Sequence, residues 1–211
     1  MTDKSNEKAI TYISYLKVDE LLELQQPESD GEHDEMLFIV IHQTYELWFK
    51  QMLHEIAEVQ RTLEAGQSHR SLAILGRVRT IMKTCVGQLD ILETMTPLQF
   101  NTFRGRLQSS SGFQSAQFRE FEAVLGRRDQ AGAGADKHSG MGMAEHLIAG
   151  SPARARVEAA MQRRSLWDST LLYLETRGHK MPSEVIHRDV TKPYSDHEGV
   201  QEVLLSVHRN D

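Results

Sequence analysis

Apolar residues recur every three or four positions along nearly the whole chain, and alternating strand patterns are almost absent, so the sequence predicts an all-α protein. Leu16, Leu21, Leu22 and Leu24 predict one short first helix that stops before Pro27, and residues 31–33 predict a turn. The longest element follows. Phe38, Ile41, Tyr45, Trp48, Met52, Ile56, Val59 and Leu63 step by threes and fours until Gly66. Its first two turns are apolar nearly all round, which marks a central helix covered on several sides. Leu75, Val78, Met82, Cys85, Leu89 and Leu92 then form a narrow seam suited to antiparallel packing in a helical bundle.

Start and stop signals locate the remaining helices. Thr96 reads as an N-cap, Pro97 as the first helical residue and Gln99 as the partner that closes a capping box. This helix carries Phe100, Phe103, Arg104 and Leu107, and residues 109–112 (three serines and a glycine) break it. Another helix runs through Phe118, Phe121 and Leu125 to Gly126. Residues 127–142, rich in Gly, Ala and charge, predict a mobile surface loop. Ser151-Pro152 and Ser165 cap two more helices, the second holding Leu166, Trp167, Leu171 and Leu174 and ending at Gly178. Pro182 opens a short helical turn. Ser195 and Glu198 predict a capping box ahead of Val200, Val203, Leu204 and Val207. That last pattern is still in phase at Asp211, which predicts further chain beyond it.

At 211 residues the sequence fits one helical domain, 1–211, with an N-terminal arm over about residues 1–30. The net charge of −6 argues against nucleic acid, which needs clustered Lys and Arg on one face. A single cysteine, Cys85, excludes an internal disulfide and a cysteine-rich zinc site. The longest apolar run, residues 36–41, is far too short to span a bilayer, and residues 1–8 carry no apolar signal core. The expected location is the cytoplasm, away from membranes.

Three groups of residues could carry chemistry. The first is His33-Asp34-Glu35, His42 to Glu46, and His54-Glu55. His42 shares a helix face with Phe38, four residues earlier. It fits a core imidazole satisfied by a neighbour, and it also fits a bundle metal site with Glu46, Glu35 and His54. The second is Arg104, one turn after Phe100. It reads either as a surface arginine covering apolar area or as a bidentate clamp for a carboxylate. The third is the Ser-Ser-Ser-Gly run, which either lets a flat ligand approach the backbone closely or merely links helices. Tyr12, Tyr15 and Trp48 could stack on a ligand or pack in a core.

Taken together, three stretches resemble the tryptophan 2,3-dioxygenase family. His33-Asp34-Glu35-Met36-Leu37-Phe38-Ile39-Val40-Ile41-His42-Gln43-Thr44-Tyr45-Glu46-Leu47-Trp48-Phe49-Lys50 looks like the family's hallmark helix. Thr96-Pro97 through Phe103-Arg104, followed by Ser110-Ser111-Gly112-Phe113-Gln114-Ser115, is similar to its second block. Ser165-Leu166-Trp167 through Tyr173-Leu174, then Gly178-His179 and Arg188-Asp189, resembles a third, and residues 12–16 resemble its N-terminal arm.

The resemblance implies an all-α bundle that holds haem b and uses its iron to insert both atoms of O2 across the indole C2–C3 bond of L-tryptophan. The product would be N-formylkynurenine, the first step of tryptophan catabolism by the kynurenine pathway. By position, His42 would face the indole N–H and be the catalytic histidine, and Phe38 would pack on the indole. Arg104 would pair with the substrate carboxylate, and Phe100 would line the same pocket. Ser111 and Gly112 would lie close to the haem and bound oxygen. Tyr12, Tyr15 and Leu16 would reach into a neighbouring subunit's pocket, in a homotetramer with exchanged arms. A planar zwitterion needs a carboxylate clamp, an apolar slot and a polar partner for the ring nitrogen, and this sequence supplies all three.

One departure stands out. The family's proximal haem histidine lies in an aromatic, arginine-rich motif after the region matched by residues 200–210, and no such motif occurs here, so the metal ligand is left unassigned. A later Gly- and Ser-rich loop is missing as well. Either the chain is a fragment of a longer protein, or it does not hold haem independently. Two rivals share the pocket: a haem-dependent monooxygenase acting on a related aromatic amino acid, and a non-catalytic truncated helical paralogue.

Overall fold

The computed structural model describes residues 10–107, 112–128 and 142–209, and among these it contains ten α-helices and no strand. The backbone of the architecture is α3 (His33–Glu64), 32 residues long, which turns at Gly66 (φ 69°) into the antiparallel α4 (Ser68–Leu92). Around the far sides of α3 lie α5 (Pro97–Arg104), α6 (Ala116–Leu125), α7 (Pro152–Met161) and α8 (Leu166–Thr176). α3 packs on α4, α5, α6 and α8, while α7 rests on α6.

The pattern along α3 explains this central place. Ile41, Met52, Ile56, Val59 and Leu63 are buried, with Met52, Ile56 and Val59 wholly inaccessible. Each such side chain contributes about 1.5–3 kcal/mol relative to exposure. Met52 and Ile56 share one cluster with Val78, Ile81, Phe121, Val124, Val157 and Met161, so a single helix stripe holds α4, α6 and α7 together. A second cluster joins α8 to α9 (Ser183–Ile186) and α10 (Glu198–Arg209) through Leu171, Met181, Val185 and Val200. None of the helices is long and apolar enough to cross a membrane, among the described residues.

The helix starts bear out much of the sequence reading. Thr96 and Gln99 close their capping box, Ser151 accepts from Arg154 N, and Ser165 forms a capping box with Asp168. Three details differ. The first helix is two, α1 (Tyr12–Leu16) and α2 (Val18–Leu22), because Lys17 adopts φ 55° and turns the chain between them. The buried seam of α4 is Ser71, Ile74, Val78, Ile81 and Cys85, while Met82 and Leu89 lie on the exposed side of it. Ser71 belongs to this seam although it is polar, because its hydroxyl donates to Thr62 Oγ1 at 2.8 Å inside the α3–α4 contact. The start of α10 is not capped by Ser195: His197, directly before the helix, accepts from Gly199 N through Nδ1 at 3.2 Å.

Most of the predicted surface loop, residues 129–141, lies outside the described residues. At its near end Arg128 is buried, donating to the carbonyls of Ala123, Arg127, Arg163 and Val190. Just beyond it Met143 and Leu147 enter the main core.

Candidate functional site

The first half of α3, the single turn Gly112–Gln114 and the start of α6 enclose a cavity of about 520 Å³. Phe38, His42, Tyr45, Glu46 and Phe49 line it from α3, faced by Gly112, Gln114, Ser115 and Phe118. The volume falls within the range of small-molecule sites, and the wall is the usual mixture of aromatic surface with a few polar groups. The signal for the wall lay in the sequence, since Tyr45, Glu46 and Phe49 follow Phe38 and His42 at helical spacing. The contribution of Phe118 did not, because it depends on how α6 crosses α3.

Phe38 is the hub of an aromatic row. Its ring centroid is 4.1 Å from that of His42, 5.6 Å from Phe100 and 5.7 Å from Phe103. Phe100 meets Phe103 edge to face at 5.4 Å, a favoured quadrupole arrangement. The Arg104 guanidinium then sits 5.3 Å from the Phe100 centroid, over its ring. Four residues named by the resemblance, His42, Phe38, Phe100 and Arg104, therefore follow one another in contact. Arg104 is exposed and stands outside the cavity wall, at the outer end of the row.

His42 is held in one tautomer. Its Nδ1 is 2.7 Å from the carbonyl oxygen of Phe38, which can only accept, so Nδ1 carries the hydrogen and Nε2 is left as an acceptor. Tyr45 donates its hydroxyl to Cys85 O at 2.9 Å, and burial pushes both the Tyr45 phenol and the Cys85 thiol above their ordinary values. Glu46 accepts from Ser115 Oγ at 2.5 Å and from Gln117 Nε2 at 2.8 Å.

The alternative metal set is not assembled. Glu35 accepts from the backbone N–H groups of Glu28 and Ser29 and from the Ser29 hydroxyl, so it closes a loop rather than facing His42. Burial raises its carboxyl, but the Ser29 and backbone donors outweigh that and hold it below the usual range. His54 is exposed. No group of three His, Cys, Asp or Glu residues stands close enough to hold a metal ion among the described residues.

Of the two residues the resemblance puts beside a cofactor, Ser111 lies outside the described residues. Gly112 is exposed, and a Cβ built on it would meet no atom within 4 Å, so the backbone there is open to a flat group. Tyr12, Tyr15 and Leu16 do not reach this chain's own cavity. They project from α1 with 75%, 73% and 46% of their surfaces exposed.

The sequence profile of tryptophan 2,3-dioxygenase matches residues 1–139 of this chain. The chain belongs to the tryptophan 2,3-dioxygenase family. It is 50% identical over 205 residues to the tryptophan 2,3-dioxygenase of Herpetosiphon aurantiacus, covering 97% of this chain and 74% of the relative. The enzyme of that name from Anaeromyxobacter sp. strain K is 50% identical over 212 residues, or 100% of this chain and 75% of the relative. That of Caulobacter vibrioides is 38% identical over 204 residues, 95% of this chain and 72% of the relative. This family is the one whose hallmark helix the residues around Phe38 and His42 resemble, and the cavity lies against that helix.

Proposed function

We propose that the cavity beside Phe38 and His42 binds L-tryptophan and orients it for oxidative opening of the indole ring to N-formylkynurenine. The observation that carries this reading is the contact row from His42 through Phe38 and Phe100 to Arg104. It offers an acceptor for the indole N–H, aromatic faces for the ring and a guanidinium for the carboxylate. Binding through fixed groups of this kind supplies part of the barrier reduction, because the reacting bond is held in one orientation.

Haem b is a flat apolar macrocycle whose iron takes an axial donor. Among the described residues the wall offers aromatic surface and the open backbone at Gly112, which suit such a group, and one imidazole, His42, which is assigned here to the indole. Gly112 would lie against the group, which when bound supplies the activation of O2. What these residues do is bind and align the amino acid: His42 Nε2 accepts from the indole nitrogen, Phe38 fixes the plane of the ring, and Arg104 neutralises the carboxylate.

Tyr12, Tyr15 and Leu16 belong to this proposal as the arm that completes a neighbouring subunit's pocket in a homotetramer. Aromatic side chains so exposed on a short helix are surface that a partner covers. The test of the whole reading is titration of the purified protein, loaded with haem b, with L-tryptophan, followed by product mass. Saturable binding and a product heavier by two oxygen atoms support the assignment. A gain of one oxygen would make it a monooxygenase, and no binding of L-tryptophan would reject it.

A further inference from the structure

Glu46 stands one turn after His42 on α3, and its carboxylate is used entirely across the cavity. Oε1 accepts from Ser115 Oγ at 2.5 Å, Oε2 accepts from Gln117 Nε2 at 2.8 Å, and the same amide also reaches Glu46 O at 2.9 Å. Ser115 is the N-cap of α6, accepting from Phe118 N at 3.1 Å, and its own N–H donates to Gly112 O at 3.1 Å. One carboxylate thus ties the His42 wall to the turn Gly112–Gln114 and to the start of α6, which carries Phe118. The donors lie 69 and 71 residues away in sequence, so these bonds fix tertiary geometry rather than a local turn.

We infer that Glu46 is a positioning residue for this site, setting the Gly112–Gln114 turn and the start of α6 at the distance from His42 that the substrate requires. The inference rests on the proposal that L-tryptophan binds in this cavity. Both groups facing Glu46 are donors, and only a carboxylate presents an acceptor to each. An amide accepts from Gln117 and meets Ser115 only by donating to a hydroxyl that already accepts from Phe118 N, and an aspartate is one methylene short. Hydrogen bonds to a charged acceptor are also about twice as strong as neutral ones.

The test compares Glu46→Gln, Glu46→Ala and Ser115→Ala in the full chain by two measurements, amide hydrogen exchange and calorimetric titration with L-tryptophan. Gln60→Ala serves as a structural control, because Gln60 makes a comparable long-range tie to Arg164 O and Ser169 Oγ away from the cavity. Loss of the Glu46 tie should speed exchange across residues 112–118 and weaken L-tryptophan binding, each by about tenfold or more. Glu46→Gln should fall between the wild type and Glu46→Ala. Glu46→Ala should add less on a Ser115→Ala background than it costs alone, because the Ser115 bond is common to both variants and only the Gln117 bond is left to lose. Gln60→Ala should move neither readout. Unchanged exchange over residues 112–118 in Glu46→Ala, or wild-type affinity despite faster exchange, would overturn the inference. Were Glu46→Ala too unstable to purify, Glu46→Gln carries the same comparison, since Ser115→Ala also removes the N-cap of α6. A wild-type protein that binds no L-tryptophan would reject the substrate assignment instead, and the exchange data would still decide whether Glu46 fixes the turn.

Discussion

His42 donates its Nδ1–H to the carbonyl of Phe38 at 2.7 Å, one helical turn back, and the two rings lie 4.1 Å apart. The helix itself therefore sets the tautomer and the tilt of the imidazole proposed to accept from the indole N–H. A hydrogen bond to a neutral indole N–H is worth only about 0.5–1.5 kcal/mol net. His42→Ala should accordingly slow turnover modestly and relax discrimination against 1-methyltryptophan, which has no N–H to donate. Competition binding of the two compounds to wild type and variant measures this. Equal discrimination in both proteins would remove His42 from the role.

Arg104 should behave differently. Its guanidinium lies over Phe100 and is exposed, and it is the group proposed to pair with the substrate carboxylate. Losing one ion pair at an exposed position costs about 0.2–1 kcal/mol, so Arg104→Ala should raise the Michaelis constant a few-fold. Arg104→Lys should also weaken binding, though less than Arg104→Ala, since an ammonium reproduces neither the fork nor the stacking on Phe100. An Arg104→Ala protein with unchanged affinity for L-tryptophan would contradict the assignment.

These residues also show what a sequence alone can tell. Phe38 and His42 were legible because four-residue spacing on one helix fixes their neighbourhood. Phe100 and Arg104 were legible for the same reason on α5, but the contact between Phe38 and Phe100 depends on how α5 crosses α3. The Glu46–Ser115–Gln117 tie was not legible, because beside His42 on one helix Glu46 reads as a candidate metal ligand, and its actual partners lie in another element. On α4 the apolar spacing put Leu75, Met82 and Leu89 in the seam with Val78 and Cys85, whereas Ile74 and Ile81, one position earlier, are the buried residues, beside the Ser71–Thr62 hydrogen bond. Arg128 escaped similarly, since a buried arginine is recognisable only once four carbonyls are seen around it.

The exposed arm gives a prediction about assembly. Among the described residues, the five-residue helix carrying Tyr12 and Tyr15 packs only on α2, and both rings are left exposed. Light scattering should give a mass several times that of one chain. Replacing both tyrosines by alanine should shift the protein toward smaller species at low concentration. A wild-type protein that remains monomeric at all concentrations would contradict the shared-arm proposal.

Asp168 and Arg188 provide a stability test independent of ligand. The carboxylate accepts from Arg188 Nε at 2.7 Å and Nη2 at 3.2 Å, and both side chains are close to fully buried, at 8% and 12% exposure. Asp168 also accepts from Ser165 N and Oγ, so one residue joins the start of α8 to the segment after α9. Burial raises its carboxyl, but the Arg188 and Ser165 bonds outweigh burial and leave the group below its ordinary value. A depressed folded value means that the folded state holds the proton less tightly than the unfolded chain. The resulting stability is fully present above the unfolded value, near pH 4, and is lost as pH falls through the folded one. Arg188→Ala strands a buried carboxylate, which typically costs about 3–5 kcal/mol. Urea unfolding should therefore show the largest gap between wild type and Arg188→Ala at neutral pH, narrowing as pH drops below about 4. A gap that stayed constant across that range would mean that Arg188 acts through packing of its side chain and not through its charge on Asp168.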